Sequence, residues 1–305
     1  MGKAYQGSRA PSRRHWCRAV ATALSYPLWD GFPGRLLQRA NAQILPSVNP
    51  TYSFESIANS AAGVTDLFSP NSFVSIYGGN LAFVTRSLNA ADIRAGELPT
   101  VLSGSGVRAL ADSLSTYVYY VSPQQVNVLL PPSLAPGRVR FQLVNDGRAG
   151  PVVEIDLRES SPALFQQTAQ WENDPLVIAT HGLAGVVTLE QPARIGELVV
   201  LYGTGFGPTS PPVRSSKIPV EAAWVRDFAR FEVWLDGVPA DGQYVRYAGV
   251  TPYFGGLYQV NLVIPPGTGM HPEVRVGYRD PLQVGSDALM SPPGRRLAVN
   301  PADGG

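Results

Sequence analysis

Two short segments of the chain carry paired amide side chains at the same spacing. Gln125 and Asn127 flank a valine in one segment, and Gln259 and Asn261 flank a valine in the other. Alternate residues of a β-strand share a face, so each pair would point the same way. Amides both donate and accept, so the pairs could bind sugar hydroxyls or a peptide edge, or satisfy backbone groups in neighbouring loops. Recurrence in both segments favours the structural role. If the amides instead bind a ligand, these four residues are the candidate ligand-binding residues.

Aromatic residues gather around the second amide pair. Rings at alternating strand positions are usually core, whereas rings exposed in a row would form a stacking platform for sugars. Tyr244 and Tyr258 are expected to be buried or half-buried. Tyr253 and Phe254 fall in a turn flanked by Pro and Gly, so they are the aromatic candidates for exposure and ligand binding.

The sequence contains no motif for nucleophilic catalysis or for metal binding. Cys17 is the single cysteine, and His15, His181 and His271 are the three histidines, so no disulfide and no Cys/His zinc spacing exists. A Gly-x-Ser-x-Gly elbow is also missing. His181 and His271 are expected to be solvated loop residues. We therefore predict no catalytic residue, no cofactor and no metal ligand.

Loop carboxylates leave one enzymatic alternative open. A glycosidase needs two carboxylates facing across a cleft, and the sequence offers four in loop-like stretches. Calcium is a related alternative, because three neighbouring residues carry hard oxygen ligands, although EF-hand spacing is absent. The carboxylates are Glu172, Asp174, Glu190 and Asp227, and the calcium candidates are Glu172, Asn173 and Asp174.

A glycine-rich run resembles a dinucleotide loop only superficially. Residues 203–208 read Gly-Thr-Gly-Phe-Gly-Pro, and the third glycine of the nucleotide pattern would fall at Pro208, where no helix can begin. A sharp turn or bulge with positive φ is the better interpretation. The predicted turn glycines are Gly203, Gly205 and Gly207, with Gly78 and Gly79 in the equivalent place earlier in the chain.

An internal repeat organises these motifs. Residues 73–81 align with 198–206, both apolar strands ending in Tyr-Gly, and residues 125–132 align with 259–266. The offset grows from 125 at the Tyr-Gly pair to 134 at the Gln-Val-Asn pair, so the second copy carries about nine extra residues. We place the extra residues in the Pro-rich stretch 208–229. The repeat predicts domains at 46–160 and 161–300, each close to the roughly 100 residues of an immunoglobulin-like sandwich plus loops.

Composition agrees with an all-β fold. The 305 residues include 31 Gly and 28 Pro, which favour many turns and short strands over long helices. Strong hairpin signals follow Phe231–Leu235 at Asp236-Gly237 and follow residues 139–144 at Asn145-Asp146-Gly147. With 24 Lys and Arg against 23 Asp and Glu, no basic surface for nucleic acid is indicated. The fold class is therefore all-β, two tandem immunoglobulin-like sandwiches.

The first 45 residues differ from the rest and are predicted to be a poorly ordered leader. Basic residues precede a short apolar run, Arg13-Arg14 resembles a twin-arginine start, and Ala40-Asn41-Ala42 has the form of a signal-peptidase site. Prolines and charges interrupt the run, so a mis-assigned start or a disordered tail is the alternative. No stretch is long and apolar enough for a membrane span. We predict export to the cell surface or medium, with residues 301–305 as a tail.

The repeat motifs resemble a known family. Leu201-Tyr202-Gly203-Thr204-Gly205-Phe206, Leu235-Asp236-Gly237-Val238-Pro239-Ala240 and the segment 256–265 are similar to the Solibacter-type uncharacterised C-terminal region of exported acidobacterial proteins. The same segments resemble IPT/TIG domains, which are immunoglobulin-like. The resemblance implies fold and export but supplies no catalytic residue. The first copy departs by carrying Gly106-Val107-Arg108-Ala109 in place of Gly-Val-Pro-Ala.

These observations favour a non-catalytic, exported tandem module for adhesion, ligand binding or spacing, with an envelope protein or a glycan as partner. A polysaccharide-acting hydrolase using loop carboxylates is one alternative. A structural fragment of a larger surface assembly, pairing through exposed strand edges, is the other.

Overall fold

The computed structural model describes residues 49–279 and 289–301. The predicted leader, and all but one residue of the predicted tail, lie outside this part of the chain. Within it, no helix reaches the length and hydropathy of a membrane span.

The first sandwich comprises ten short strands arranged as two antiparallel sheets. Sheet A has the order β1-β2-β7-β6-β3, and sheet B has the order β10-β8-β4-β5, with β9 also on β8. A core of fully buried aliphatic and aromatic side chains lies between them, including Ile76, Val126 and Phe141. The strands are β1 (Ile57–Asn59), β2 (Phe73–Tyr77), β3 (Arg86–Ser87), β4 (Val107–Ala111), β5 (Leu114–Ser115), β6 (Tyr117–Val121), β7 (Gln125–Leu129), β8 (Gly137–Asn145), β9 (Arg148–Ala149) and β10 (Val153–Leu157).

The second sandwich repeats this plan with additions. Sheet C has the order β11-β16-β22-β21-β18-β17, with β14 also on β16, and sheet D has the order β20-β19-β23. Two small two-stranded pairs, β12 with β13 and β15 with β24, complete it. The strands are β11 (Ala163–Leu164), β12 (Gln166–Trp171), β13 (Asp174–Val177), β14 (Ala179–His181), β15 (Ala193–Arg194), β16 (Leu198–Thr204), β17 (Thr209–Ser210), β18 (Ala223–Val225), β19 (Phe231–Leu235), β20 (Val238–Pro239), β21 (Val245–Val250), β22 (Tyr258–Val263), β23 (Val274–Tyr278) and β24 (Val299–Asn300).

Helical structure in the described residues is confined to single 3₁₀ turns. The turns that lie wholly within the described residues are Phe54–Ser56, Ala90–Asp92, Phe228–Arg230 and Gly242–Tyr244. The prediction of an all-β chain with two tandem immunoglobulin-like sandwiches is confirmed.

The repeat found in the sequence is also a repeat of strand register. Tyr77 of β2 lies opposite Gln125 of β7, and Tyr202 of β16 lies opposite Gln259 of β22. In each copy the next strand carries a β-bulge beside the Asn of the amide pair, between Val118 and Tyr120 in β6 and between Val245 and Tyr247 in β21. The aligned residues therefore occupy equivalent positions in three dimensions.

Both predicted hairpins form, but one element of the repeat alignment is wrong. Asp236 and Gly237 turn β19 into β20 with φ of 48° and 76°, which suits a tight two-residue turn. The first-copy counterpart is Asp112, with φ of 53°, at the turn from β4 to β5, not the predicted segment 106–109. Asp112 Oδ1 accepts from Arg140 N at 2.9 Å, and Asp236 Oδ1 accepts from Glu273 N at 2.8 Å. The segment 106–109 instead enters β4, which is equivalent to β19.

The predicted turn glycines do not all have positive φ. Gly205 and Gly207 do, at 75° and 89°, whereas Gly78, Gly79 and Gly203 do not. In the first copy Asn80 takes the left-handed conformation at the position of Gly205, with φ of 56°. The requirement at Gly78 and Gly203 is space: a Cβ would lie 2.0 Å from Thr51 O at Gly78 and 2.4 Å from Ala163 O at Gly203. A Cβ at Gly205 would also lie 2.3 Å from Ser161 O.

Candidate functional site

A third cluster of buried apolar residues joins the two sandwiches. It draws Phe73 and Leu129 from sheet A and Phe165 and Tyr202 from the second sandwich. The rings of Phe73 and Phe165 meet edge to face, with centroids 6.2 Å apart, and both are fully buried. Since outer faces of immunoglobulin-like sheets are ordinarily exposed to solvent, this cluster makes the two sandwiches one packed body.

Hydrogen bonds across the same boundary fix the position of each sandwich relative to the other. Phe73 N donates to Thr204 Oγ1 at 3.1 Å, Asn71 Nδ2 donates to Tyr258 Oη at 3.1 Å, and Tyr119 Oη donates to Gly255 O at 2.9 Å. Burial raises the pKa of Tyr258 to about 12, although the bond from Asn71 acts in the opposite direction. These phenols stay neutral and serve as hydrogen-bonding groups at the boundary.

A segment of the second sandwich reaches across to the first and pairs with it. Residues 211–222, here called the interdomain arm, connect β17 to β18. Leu98 N donates to Ser216 O at 2.7 Å, and Ile218 N donates to Gly96 O at 2.9 Å, as in a short antiparallel bridge. The Lys217 Nζ lies 2.7 Å from Glu97 Oε1. The arm falls in the stretch where the repeat alignment places the extra residues of the second copy.

The two amide pairs make the same internal bond but differ in exposure. Gln125 Nε2 donates to Asn127 Oδ1 at 2.9 Å, and Gln259 Nε2 donates to Asn261 Oδ1 at 2.8 Å. In the first copy the side chains are 5% and 3% exposed, so that pair is structural. In the second copy both residues are half-buried. Neither Gln259 Oε1 nor Asn261 Nδ2 has a partner among the described residues, so one acceptor and one donor remain available there.

An exposed tryptophan stands on the same face of sheet C as the second amide pair. Ala223 and Val225 of β18 point into the core, so Trp224 points outward, and it is 42% exposed. Trp224 lies opposite Gly249, which in turn lies opposite Gln259. We call the surface formed by Trp224, Gly249, Gln259 and Asn261 the outer ladder. Two strand spacings of about 4.8 Å separate the backbone of Trp224 from that of Gln259.

The predicted aromatic candidates separate in the structure. Tyr253 has φ of 70° and is 59% exposed, as expected for a turn residue. Phe254 packs against the interdomain cluster and is half-buried, which corrects its assignment to an exposed platform. The turn carrying both is held to the interdomain arm, because Tyr253 N donates to Pro219 O at 2.6 Å. The two rings therefore do not form a continuous stacking surface.

A cavity of about 260 Å³ opens where the ends of the two sandwiches meet. Prolines from both sandwiches line it, together with Asn71, Tyr258 and the ion pair between Arg226 and Glu159, whose Nη2 and Oε1 atoms are 2.7 Å apart. The proline residues are Pro70, Pro132, Pro136, Pro208 and Pro212. The polar groups of the cavity are already engaged with each other or with backbone, since the Tyr258 hydroxyl donates to Gly207 O at 2.7 Å.

The two histidines in the described part of the chain have structural environments. His271 is 7% exposed, its Nδ1 accepts from Val299 N at 3.1 Å, and its ring centroid lies 4.2 Å from that of Trp171. The expectation of a solvated loop residue is wrong for His271, and burial lowers its pKa. His181 places Nδ1 2.5 Å from Glu197 Oε1 and Nε2 3.0 Å from Gln191 O, so both ring nitrogens are engaged.

Two of the four carboxylates proposed for a hydrolase, Asp174 and Asp227, are paired with arginines. Asp174 Oδ2 accepts from Arg296 Nε at 2.9 Å, and Asp227 Oδ2 accepts from Arg226 Nη2 at 3.1 Å. Hydrogen bonds from its own backbone and from Thr188 lower the pKa of Glu190, whereas a general acid needs a raised pKa. No three His, Cys, Asp or Glu residues in the described ranges gather as a metal site.

Sequence reasoning missed Trp224. The alternation of Ala223, Trp224 and Val225 was the available signal, because an outward aromatic between two small or branched apolar residues is typical of a strand with one buried face. The partner strand of Trp224 lies 25 residues away at Gly249, so the pattern alone does not place Trp224 beside the amide pair.

Comparison with known proteins gives only distant similarities. No protein-family model and no curated protein matches the chain. Among solved structures, the mixed-linkage glucan utilisation protein SGBP-B of Bacteroides ovatus, solved with a heptasaccharide, is 10% identical over 83% of this chain, with a TM-score of 0.32. SGBP-B from a xyloglucan utilisation locus of Bacteroides uniformis is 9% identical over 80%, TM-score 0.23, and tandem Ig repeats of Dlar are 9% identical over 83%, TM-score 0.18. The matches cover 47%, 48% and 95% of those chains, so this chain spans about half the length of the first two.

Proposed function

We propose that the chain is a non-catalytic, exported module in which two immunoglobulin-like sandwiches, locked into one body, present a ligand-binding surface outside the cytoplasm. The observation that carries the proposal is the interdomain boundary. A flexible spacer would leave the outer faces of its sheets in water, whereas here Phe73, Phe165 and Tyr202 are buried between the sandwiches. Such a boundary fixes loops and faces of both sandwiches relative to one another.

The contacts of the loop carboxylates favour this proposal over the hydrolase. Asp174 and Asp227 each form an ion pair with an arginine, so both carboxylates are already engaged by contacts within the chain. A glycosidase instead needs two carboxylates that face each other across a cleft and remain available to the substrate.

Two measurements test the proposal. The tagged full chain is expressed in a Gram-negative host, and protease accessibility in intact and permeabilised cells reports its compartment. The purified chain is incubated with a panel of soluble polysaccharides, and released reducing ends are measured. We expect an extracytoplasmic chain that releases none. Reducing-end release that is lost in Asp174→Asn or Asp227→Asn would support the hydrolase instead, and a cytoplasmic chain would contradict export.

A further inference from the structure

We propose that the outer ladder of sheet C is a binding site for a neutral carbohydrate chain, with Trp224 as the stacking residue and Gln259 and Asn261 as the hydrogen-bonding residues. The inference rests on the proposed function and deepens it by naming a ligand class.

The aromatic part of this site is held in place by its neighbours. The ring of Trp224 meets Tyr247 edge to face at a centroid distance of 4.9 Å and Phe228 at 4.6 Å. Tyr247 is itself fixed, because the single proton of its hydroxyl is shared between Ala223 O at 3.1 Å and Val250 O at 2.8 Å. Trp224 therefore remains exposed in a fixed orientation, which lowers the entropic cost of stacking a ligand on it.

Gly249 leaves room for the ring of Tyr247 between the tryptophan and the amides. A Cβ at Gly249 would lie 2.1 Å from Ala223 O and 2.5 Å from Tyr247 Oη. The ring of Tyr247 thus lies across Gly249, in the space between Trp224 and Gln259, and it is itself buried. The outer ladder therefore presents an exposed aromatic ring and a pair of amides on one sheet face, with Tyr247 packed between them.

The chemistry of the outer ladder matches a neutral polyol. Sugar rings offer apolar C–H faces that pack on aromatic rings, and hydroxyls that both donate and accept. The internal bond from Gln259 to Asn261 orients both amides and leaves Gln259 Oε1 as acceptor and Asn261 Nδ2 as donor. None of the four outer-ladder residues carries a charge, so an acidic polysaccharide has no complementary cation in the ladder itself.

Comparison of the two copies distinguishes this site from a purely structural pair. The amide bond within the pair is the same in both, yet only the second pair is accessible. The residues of β16 that lie opposite this second pair are Val200 and Tyr202, and both belong to the buried cluster between the sandwiches. The ladder therefore begins where the contact with the first sandwich ends, and the locked boundary holds one side of the site.

The test uses affinity gel electrophoresis of the purified chain in gels containing soluble β-glucan, galactomannan or xylan, with polygalacturonate as the charged comparison. Quenching of tryptophan fluorescence by the retarding polysaccharide gives a second readout. We expect retardation in at least one neutral gel. Trp224→Ala should weaken binding about tenfold because it removes the stacking ring, and Gln259→Ala should weaken it by roughly two- to tenfold because it removes a hydrogen-bonding amide.

Matched variants keep the result interpretable. Phe83→Ala removes an exposed ring on the first sandwich, away from the ladder, and should bind as the wild type does. Trp224→Phe keeps a stacking ring and should retain part of the affinity, which decides the question if Trp224→Ala melts much lower than the wild type. Wild-type binding to none of the neutral polysaccharides, binding to polygalacturonate alone, or unchanged binding in Gln259→Ala would overturn the inference. An extracytoplasmic, non-hydrolytic chain that fails to bind glycan would leave the proposed function standing.

Discussion

Phe165 offers a direct measure of how strongly the two sandwiches hold each other. Its side chain is fully buried, and it belongs to the interdomain cluster rather than to either sandwich core. Phe165→Ala removes the edge-to-face contact with Phe73 and leaves a cavity between the sandwiches. Substitutions of this kind cost about 3–5 kcal/mol when the site cannot collapse.

The expected effect can be expressed in temperature. For a chain of this size, about 1 kcal/mol shifts the melting temperature by roughly 2–4 °C, so Phe165→Ala should lower it by about 6–20 °C. Scanning calorimetry should show one cooperative transition in the wild type, because the boundary couples the sandwiches, and a broadened or split transition in the variant. Phe141→Ala, in the core of the first sandwich, is the matched control.

One outcome would refute this reasoning. If Phe165→Ala lowered the free energy of unfolding by less than about 1 kcal/mol, while Phe141→Ala showed the full loss, the boundary would contribute little to stability. Two separate unfolding transitions in the wild type would also show that the boundary does not couple the two sandwiches.

Three further predictions concern single contacts. His271 is buried and its pKa is lowered, so as the pH falls the unfolded state takes up a proton before the folded state does. The free energy of unfolding should therefore decrease as the pH drops below about 6.5, by at most about 1.4 kcal/mol per pH unit. His271→Asn keeps a hydrogen-bond acceptor and should reduce this pH dependence, measured by urea titration at several pH values. Gly237→Ala, where a Cβ meets open space, should lower the free energy of unfolding by the backbone strain alone, about 1–3 kcal/mol. Gly205→Ala, at a similar φ, should cost more than Gly237→Ala because its Cβ would also contact Ser161 O. Lys217→Ala should cost less than about 1 kcal/mol, since its ion pair with Glu97 is exposed and the arm is held mainly by backbone bonds.

Each of these has a clear contrary result. A His271→Asn chain as acid-sensitive as the wild type would place the proton uptake elsewhere. Equal losses in the two glycine variants would remove the argument from the Ser161 contact. A loss above 2 kcal/mol in Lys217→Ala would mean that the ion pair, rather than the backbone bridge, holds the arm.

The sequence predicts the repeated strands well because their signals are local. Tyr-Gly and Gln-Val-Asn fall at equivalent register positions since alternating apolar residues determine which face of each strand is buried. The equivalence of Asp112 with Asp236 was missed because Asp112 is followed by Ser rather than Gly, although both aspartates adopt positive φ. In both copies the turn carries an aspartate whose side chain accepts a hydrogen bond from the backbone of the neighbouring strand. Sequence spacing alone does not reveal that relation.

Long-range packing explains the remaining differences. Phe254 looks exposed from its Gly- and Pro-rich turn, yet the contact between the sandwiches buries one side of it. His271 looks like a loop residue, yet Trp171 and the last strand close over it. Trp224 reaches the amide pair only through the pairing of β18 with β21 and of β21 with β22. Each depends on contacts between segments far apart in the chain, and one sequence does not specify these.

The central claim is that the two sandwiches form one rigid body, and a spin-label distance measurement tests it most directly. Labels at Val152→Cys and Val238→Cys, both exposed and on different sandwiches, are introduced in a Cys17→Ser background. Double electron–electron resonance should give a single narrow distance distribution, and Phe165→Ala should broaden it. A broad or multimodal distribution in the otherwise unchanged chain would contradict the claim.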